Sequence, residues 1–424
     1  MTGSALSGAI KDHINLLRGW PNPALLPVAD LSQASTTVLS TPSIYEPGLQ
    51  YGPDEGYQPL RQHVAEWLTS FYRPPDPVTQ DRICITGGAS QNLACVLQAF
   101  TDPVYTRNVW IVAPMYYLAG RIFDDSGFAG RLRGIPEDEE GIDLDLLERG
   151  LDETEKKAVS EGNNEPVMSL RRRERLVRLA RRFDALVVTD DVYDFLQWSS
   201  TPNSLLAHPD RAYMPRLIDL DRYLDGGPRD EWGHVVSNGS FSKLIGPGVR
   251  TGWAESTEKF SYGLSQTGSS RSGGAPSQLT ATVVDQLLST SIIQNHIVKV
   301  LQPAYADRYH RTMSAIQEHL LPLGVTIPPN PHEAAGGYFI WLDLPQPLRA
   351  SDLAERAMAE ENLLIATGDM FQVPGEDSPD HDDFEHSVRI CFAWEELDNL
   401  TEGIQRLAAV VRRAMDQERE KSRK

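Results

Sequence analysis

A lysine that directly follows an apolar strand, inside a run of hydroxyls and glycines, is placed to act as an amine nucleophile. Lys243 is such a residue, in Asn238-Gly239-Ser240-Phe241-Ser242-Lys243-Leu244-Ile245-Gly246-Pro247-Gly248-Val249-Arg250-Thr251-Gly252-Trp253. An amine there can attack an aldehyde, and the hydroxyls of Ser240 and Ser242 can converge on a phosphate with the Arg250 guanidinium. The glycines let the backbone come close. An aldehyde that also carries a phosphate describes pyridoxal phosphate in outline. A polar loop with an exposed lysine is the plainer reading of an isolated Ser-x-Lys triplet, and the length of the pattern through Arg250 and Trp253 speaks against it.

Three more stretches place polar groups where chemistry needs them. Val187-Val188-Thr189-Asp190-Asp191-Val192-Tyr193 carries carboxylates to the carboxyl end of an apolar strand, where open α/β sheets bind ligands. A carboxylate that keeps a pyridine nitrogen protonated makes the ring an electron sink. Taken alone, the same motif would be a helix cap. Ile85-Thr86-Gly87-Gly88-Ala89-Ser90-Gln91 ends a strand in glycines and begins a helix, whose free N–H groups suit a phosphate, although a glycine pair is also an ordinary turn. Arg389, in Ser387-Val388-Arg389-Ile390-Cys391-Phe392, offers a planar fork for a carboxylate, unless it is a surface arginine on an edge strand.

These residues need a scaffold, and the hydrophobic pattern supplies one. Ile83 to Thr86, Val109 to Ala113, Ala185 to Thr189 and Val235 to Ser237 read as buried strands alternating with helices. That alternation predicts a three-layer α/β domain around a mostly parallel sheet. Leu176, Leu179, Ala180 and Phe183 share one helix face, and Arg171 to Arg173 form its solvated start rather than an anion site. Beyond about Leu301 the pattern becomes a smaller α+β unit, with strands Gly337 to Asp343 and Ser387 to Phe392 and a helix over Leu353 to Glu361. The expected division is an arm over 1–50 that belongs to the small domain, a large domain over 51–300 and a small domain over 301–424. The charged tail Met415 to Lys424 is expected to fray.

Composition narrows the function. With 59 acidic and 40 basic residues among 424, the formal charge of −19 opposes binding to nucleic acid or anionic membrane and favours small-molecule chemistry. Cys84, Cys95 and Cys391 are too scattered for a disulfide framework or a paired zinc site, so no metal is expected and a reducing cytoplasm suits them. No stretch approaches the roughly 20 apolar residues of a membrane span, and no signal peptide is expected.

From about Gly19 to Arg412 the chain resembles the fold-type I aminotransferases, in the branch of the aromatic-amino-acid and 2-aminoadipate aminotransferases, with the motifs in that family's order. The resemblance implies that Lys243 holds pyridoxal phosphate as a Schiff base. It implies that Asp190, more than Asp191, meets the ring nitrogen and that Tyr193 hydrogen-bonds the phenolic oxygen. A phosphate cup is implied at Gly88, Ala89 and Ser90, joined by Ser240, Ser242 and Arg250. Tyr116, in Ala113-Pro114-Met115-Tyr116-Tyr117, matches the aromatic that stacks on the ring, with Tyr117 as the alternative, and Arg389 matches the binder of the substrate α-carboxylate. Tyr51, in Leu49-Gln50-Tyr51-Gly52-Pro53, matches a tyrosine that reaches the neighbouring subunit's phosphate, which implies a homodimer with shared active sites. The reaction implied is amino transfer between an amino acid and a 2-oxo acid, with Lys243 as general base. β-Elimination or another carbanion reaction on the same cofactor competes with it, as does a catalytically weak binding protein. Trp20, with Tyr45, Tyr338 and Phe371, favours apolar or aromatic substrates.

One family element is missing. The family has a further strand and an Asn-Pro-Thr-Gly-like loop before the helix that leads to Asp190, whereas Leu151 to Leu170 is charged and lacks strand character. Asn164, before Glu165-Pro166, is at best a displaced counterpart. The sheet is expected to be one central strand short unless Pro166 to Leu170 fills the place.

Overall fold

Short β-branched runs and amphipathic stretches alternate along the chain, and the computed structural model shows the elements they form over residues 11–138, 141–156, 168–271, 276–328, 333–374 and 384–423. The first part runs β1 (Ile14–Asn15), α1 (Val28–Ser40), α2 (Pro42–Gly48), α3 (Gln58–Tyr72), β2 (Ile83–Thr86), α4 (Ala89–Phe100) and β3 (Val109–Val112). It continues with α5 (Tyr117–Phe123), β4 (Leu132–Ile135), β5 (Glu137–Asp138), β6 (Gly141–Ile142), α6 (Leu144–Lys156), α7 (Leu170–Arg182), β7 (Val187–Asp190) and β8 (Gln197–Ser199). Then come α8 (Leu217–Tyr223), β9 (Val235–Ser240), β10 (Gly252–Glu255), α9 (Glu258–Ser265), α10 (Gln278–Ser289), α11 (Ile292–His296) and α12 (Gln302–His319). The last part is β11 (Ala334–Gly336), β12 (Phe339–Asp343), α13 (Ala350–Glu361), β13 (Leu363–Leu364), β14 (Ala366–Thr367), β15 (Ser387–Cys391) and α14 (Leu397–Ser422). Among the described residues no helix is long and apolar enough to cross a membrane.

The main sheet has the order β2-β10-β9-β7, with β7 parallel to β9 and β10 antiparallel to both its neighbours. β9 outruns its apolar stretch because Asn238, Gly239 and Ser240 pair with Ala254, Trp253 and Gly252. Only glycine fits at position 239, where a Cβ would lie 2.2 Å from the Trp253 ring. β3 and β4 form a separate parallel pair.

β3 and β7 each end their sheet, and among the described residues no strand joins them. Their side chains are mostly half-covered, whereas every position of β2, β9 and β10 is buried. Both strands pack on one apolar cluster all the same: Trp110, Val112 and Val187 lie against Leu147, Leu176, Val177 and Val235. The N–H groups of Val187 and Asp191 donate to the β9 side, and those of Val109 and Ala113 to the β4 side. Alternation in a parallel ladder then turns the N–H groups of Val188, Asp190, Trp110 and Val112 to the outer edges. Asn164, Pro166 and Val167, where a filling strand was sought, lie outside the described residues.

Two local expectations need correction. The helix start is only partly solvated: Arg171 is exposed, but Arg172 Nη1 donates to the carbonyls of Gly141 and Ile142, and Arg173 donates to those of Met168 and Pro215. Ser169 caps this start, and the carbonyls of β6 take up the Arg172 guanidinium. The tail does not fray at Met415, because α14 continues to Ser422. Its buried face from Leu400 to Ala414 anchors the helix, and ion pairs Asp416–Arg419 and Glu418–Lys421 support the exposed end.

The smaller sheet has the order β12-β15-β14, and β1 of the N-terminal arm runs parallel with β13. α13 packs on β13 and β14, and α14 packs on α12, α13 and β13.

Candidate active site

β9 ends at Ser240, and a single 3-10 turn over Phe241–Lys243 carries the lysine off the strand at once. Phe241 is fully buried against Trp67 and Trp253, which fixes that turn. Asp190 lies at the same end of the sheet, in register with Asn238. Lys243 Nζ donates to the Gly19 carbonyl at 3.1 Å and lies 5.4 and 5.2 Å from the ring centres of Tyr193 and Tyr338. Burial lowers its pKa, with the Arg389 charge acting in the same direction and Cys391 and Asp190 opposing. The neutral amine, which is the nucleophilic form, is thereby favoured.

The two adjacent carboxylates differ in their partners. Asp191 Oδ2 accepts from Thr189 Oγ1 at 2.7 Å and from Ser237 Oγ, so strands β7 and β9 both hold it. Asp190 accepts no hydrogen bond from a described side chain and faces the charge of Lys243. Although its outer edge is exposed, protein closes round the carboxyl, and that burial, aided by the charge of Asp191, pushes its pKa up to about 6. The surrounding protein governs its titration more than the accessible edge does. A cation on a ring nitrogen would relieve that cost.

A carboxyl whose folded pKa is raised holds its proton more tightly in the native state, so its contribution to stability is lost as pH rises through the folded value. Between the ordinary carboxylate range and about pH 6 the cofactor-free protein should therefore lose stability at Asp190. Asp194, buried against Asp191 and Tyr72, shifts the same way. The expected result is that the rise in melting temperature on adding pyridoxal phosphate is larger at about pH 7 than at about pH 5, and that Asp190→Asn abolishes the difference. An equal rise at both pH values in the native protein would remove Asp190 from the ring.

The phosphate-cup candidates form one wall. Gly88 opens α4 at φ +100, and Arg250, itself at φ +45, donates to the carbonyls of Gly87 at 3.0 Å and Pro247 at 2.8 Å. A Cβ on Gly88 would stand 2.7 Å from Arg250 Nη2, so glycine is what lets the guanidinium reach the helix start. Ser240 Oγ and Ser242 Oγ are 2.9 Å apart, Ser242 Oγ lies 3.5 Å from Arg250 Nη1, and Ala89 and Ser90 form the first turn of α4. Beside them is a cavity of about 510 Å³ lined by Tyr51, Gly87, Gln91, Arg250 and Gln278, with Tyr51 86% exposed at its rim. Free helix N–H groups, two hydroxyls and a guanidinium are the donors a phosphate needs. Together with Lys243 and Asp190, they fit pyridoxal phosphate.

Arg389 is not on an edge: β15 is the middle strand of its sheet, paired with β12 and β14. Its guanidinium lies 3.8 Å from the Phe339 ring centre and 4.4 Å from that of Phe371, and Nη2 donates to the Leu17 carbonyl at 3.0 Å. Its Nε is buried without a partner among the described residues, a donor left over for a carboxylate. Tyr116 is half-exposed near both Asp190 and Arg389, and burial raises its phenol pKa. Tyr117 instead packs edge-on to Phe371. Tyr193 is enclosed beside Tyr338 and Phe339, and burial likewise raises its pKa. Trp20 is 56% exposed and meets Trp394 edge to face at 5.8 Å.

Sequence reasoning missed Gly19, Phe339 and Cys391. Gly19 supplies the carbonyl that Lys243 bonds, and a Cβ there would come within 2.6 Å of Phe339. The turn signal Gly19-Trp20-Pro21 was the available hint. Nothing local marks the buried Cys391 as a neighbour of Lys243 and Arg389.

A lysine, a carboxylate and an anion cup at the carboxyl ends of a three-layer α/β sheet define the class of fold-type I pyridoxal-phosphate transferases. The chain belongs to the class I and II aminotransferases: the family model described as "Aminotransferase class I and II" matches residues 43–407. It is 28% identical to aromatic-amino-acid aminotransferase 1 of Thermococcus litoralis, over 95% of this chain and 89% of that one. Among solved structures it is similar to the multiple substrate aminotransferase from Thermococcus profundus, with TM-score 0.76 and 25% identity over 98% of this chain and 96% of that one. The α-aminoadipate aminotransferase LysN from Thermus thermophilus, complexed with N-(5'-phosphopyridoxyl)-L-leucine, has TM-score 0.74 and 26% identity over 96% of this chain and 93% of that one. Membership brings pyridoxal phosphate as cofactor and amino transfer between an amino acid and a 2-oxo acid as reaction.

Proposed function

We propose that Lys243 holds the cofactor and moves the substrate's α-proton, while Asp190 faces the ring nitrogen and Arg389 binds the α-carboxylate. One observation carries this reading: the Lys243 amine lies close enough to Asp190 and Arg389 to feel the charge of both, and each of the three has unused chemistry. They are an amine of lowered pKa and, among the described residues, a carboxylate without a side-chain hydrogen bond and a guanidinium with an unpartnered buried Nε.

Pyridoxal phosphate, when bound, supplies the electron-accepting ring that stabilises the negative charge left by the departing proton. Lys243 Nζ takes that proton as a neutral amine and returns it as an ammonium, with the Gly19 carbonyl limiting its swing. Phe339 and Phe371 hold the Arg389 fork flat and exclude water from its faces. Tyr193 is assigned the phenolic oxygen and Tyr116 the ring face. Gly88, Ala89, Ser90, Ser240, Ser242 and Arg250 are assigned the phosphate, and Trp20 the substrate side. A panel of amino acids offered with 2-oxoglutarate and with pyruvate tests the reading. Turnover that needs no 2-oxo acid would replace amino transfer by elimination.

Arg389→Lys exchanges a bidentate fork for a point charge. The Michaelis constants for amino acid and 2-oxo acid are both expected to rise about 10- to 100-fold, the loss of one charge-assisted hydrogen bond of about 1.5–3 kcal/mol. Unchanged constants for both substrates would place the carboxylate elsewhere.

The proposal extends to assembly. Tyr51, exposed beside the cup, serves the second site of a homodimer, which sedimentation and mixed-variant complementation test. Residues 1–50 and 301–424 act as the small domain against 51–300, supported by the β1–β13 pairing. Three free cysteines suit a reducing cytoplasm.

A further inference from the structure

A lysine that carries a proton needs support in its charged as well as its neutral form. The Lys243 amine donates to the Gly19 carbonyl, and among the described residues no carboxylate forms an ion pair with it. Two aromatic faces flank it instead: Nζ lies over the Tyr338 ring at 5.2 Å and over the Tyr193 ring at 5.4 Å from the ring centres. The two rings meet edge to face at 5.1 Å, and burial raises the pKa of both phenols, which keeps them neutral. A cation over a neutral ring face is attracted to it, most strongly where water is excluded. Tyr193 already has a role at the cofactor, whereas Tyr338 has none. Being fully buried, Tyr338 has no surface to offer a substrate side chain. Its hydroxyl lies 2.9 Å from that of the equally buried Tyr305 and donates to the Lys243 main-chain carbonyl at 3.4 Å. Its own carbonyl accepts from the Phe392 N–H at 3.0 Å, so the ring is pinned beside the turn that carries the lysine.

We propose that Tyr338 is a positioning residue for amino transfer, whose ring face steadies the ammonium that Lys243 becomes on taking the substrate's α-proton. The inference rests on the reading of Lys243 as the proton carrier. The other groups that act on the amine do not serve that state: Arg389 repels an ammonium, Cys391 is a thiol whose ionisation burial opposes, and Asp190 is assigned to the ring nitrogen. A carboxylate at hydrogen-bond distance would hold Lys243 as an ammonium throughout and quench the nucleophile. An aromatic face attracts the charged form more weakly, so the proton can rest on Nζ and still be returned.

The test uses the full chain loaded with pyridoxamine phosphate, which leaves Lys243 a free amine, and follows its acetylation by acetic anhydride across pH through mass spectrometry of its peptide. Native protein, Tyr338→Phe and Tyr338→Leu are compared, and melting temperature and cofactor content verify that each is folded and loaded. The midpoint of Lys243 deprotonation is expected to fall by about one pH unit in Tyr338→Leu, which removes the ring. In Tyr338→Phe, which keeps the ring and loses only the hydroxyl, it is expected to move by less than about 0.3 pH unit. A midpoint that stays or rises in Tyr338→Leu, or that falls equally in both variants, overturns the proposal. Should Tyr338→Leu fail to fold, trifluorophenylalanine at position 338 keeps the shape of the ring and weakens its negative face. The midpoint is then expected to fall below that of Tyr338→Phe, and an equal midpoint overturns the proposal. Native holoenzyme that converts no amino acid defeats the reading of Lys243 as proton carrier, while the acetylation midpoints still decide whether Tyr338 holds its ammonium.

Discussion

Lys243→Ala is expected to slow amino transfer by about 10⁴-fold, the upper end of what a positioned general base contributes, because the same substitution removes the nucleophile. Borohydride treatment of the native holoenzyme should attach the cofactor to the peptide that contains Lys243, and the alanine variant should take no label. The alternatives are poorly placed. Lys259 is paired with Glu231 and covers the Trp232 ring, and Lys299 lies in the segment that connects α11 to α12. Neither follows β9, and burial lowers the pKa of Lys243 toward the reactive form. Label on Lys259 or Lys299, or an alanine variant that keeps a tenth of the native rate, would move the role away from Lys243.

The second large effect concerns the sheet. A family-like strand and loop grafted between Asn164 and Met168 is expected to raise both the melting temperature and the affinity for pyridoxal phosphate. Such a strand would accept from the outward N–H groups of Trp110, Val112, Val188 and Asp190, each bond worth about 1 kcal/mol net. It would also cover the half-exposed apolar side chains of β3 and β7, at about 25 cal/mol per Å². The sum rivals a good part of the roughly 5–15 kcal/mol that holds a domain folded. Cofactor affinity should follow because Asp190 is the last residue of β7, and a strand paired on both sides moves less than one paired on one. Hydrogen exchange at Val188 and Val112 provides the check: fast in the native protein, slow in the graft. If the graft destabilises the chain and those amides are already slow, the native sheet is closed in another way.

Much of this protein was legible in the sequence because the signals are local. A run of β-branched residues becomes a strand wherever it is buried, so β2, β3, β7 and β9 lie where the apolar runs stand, and the order of the motifs identifies the family. Lys243, the Gly87-Gly88 turn and the Asp190-x-x-Tyr193 spacing belong to the same kind of information, since each needs only a strand end and a few following residues. The choice between Asp190 and Asp191 does not. The two are neighbours with the same side chain, and Thr189 and Ser237, on two different strands, engage one and leave the other open. Arg389 could be read as an edge residue until β12 and β14 closed on both sides of it. The carbonyls of Leu17 and Gly19 reach Arg389 and Lys243 only because the arm folds back over them, and Arg18 comes to lie over two indole rings by the same route. Hydrophobic periodicity and turn chemistry act over a few residues and can be read in order. Which groups meet from opposite ends of the chain is decided by packing, since a partner's identity there depends on every element that lies between.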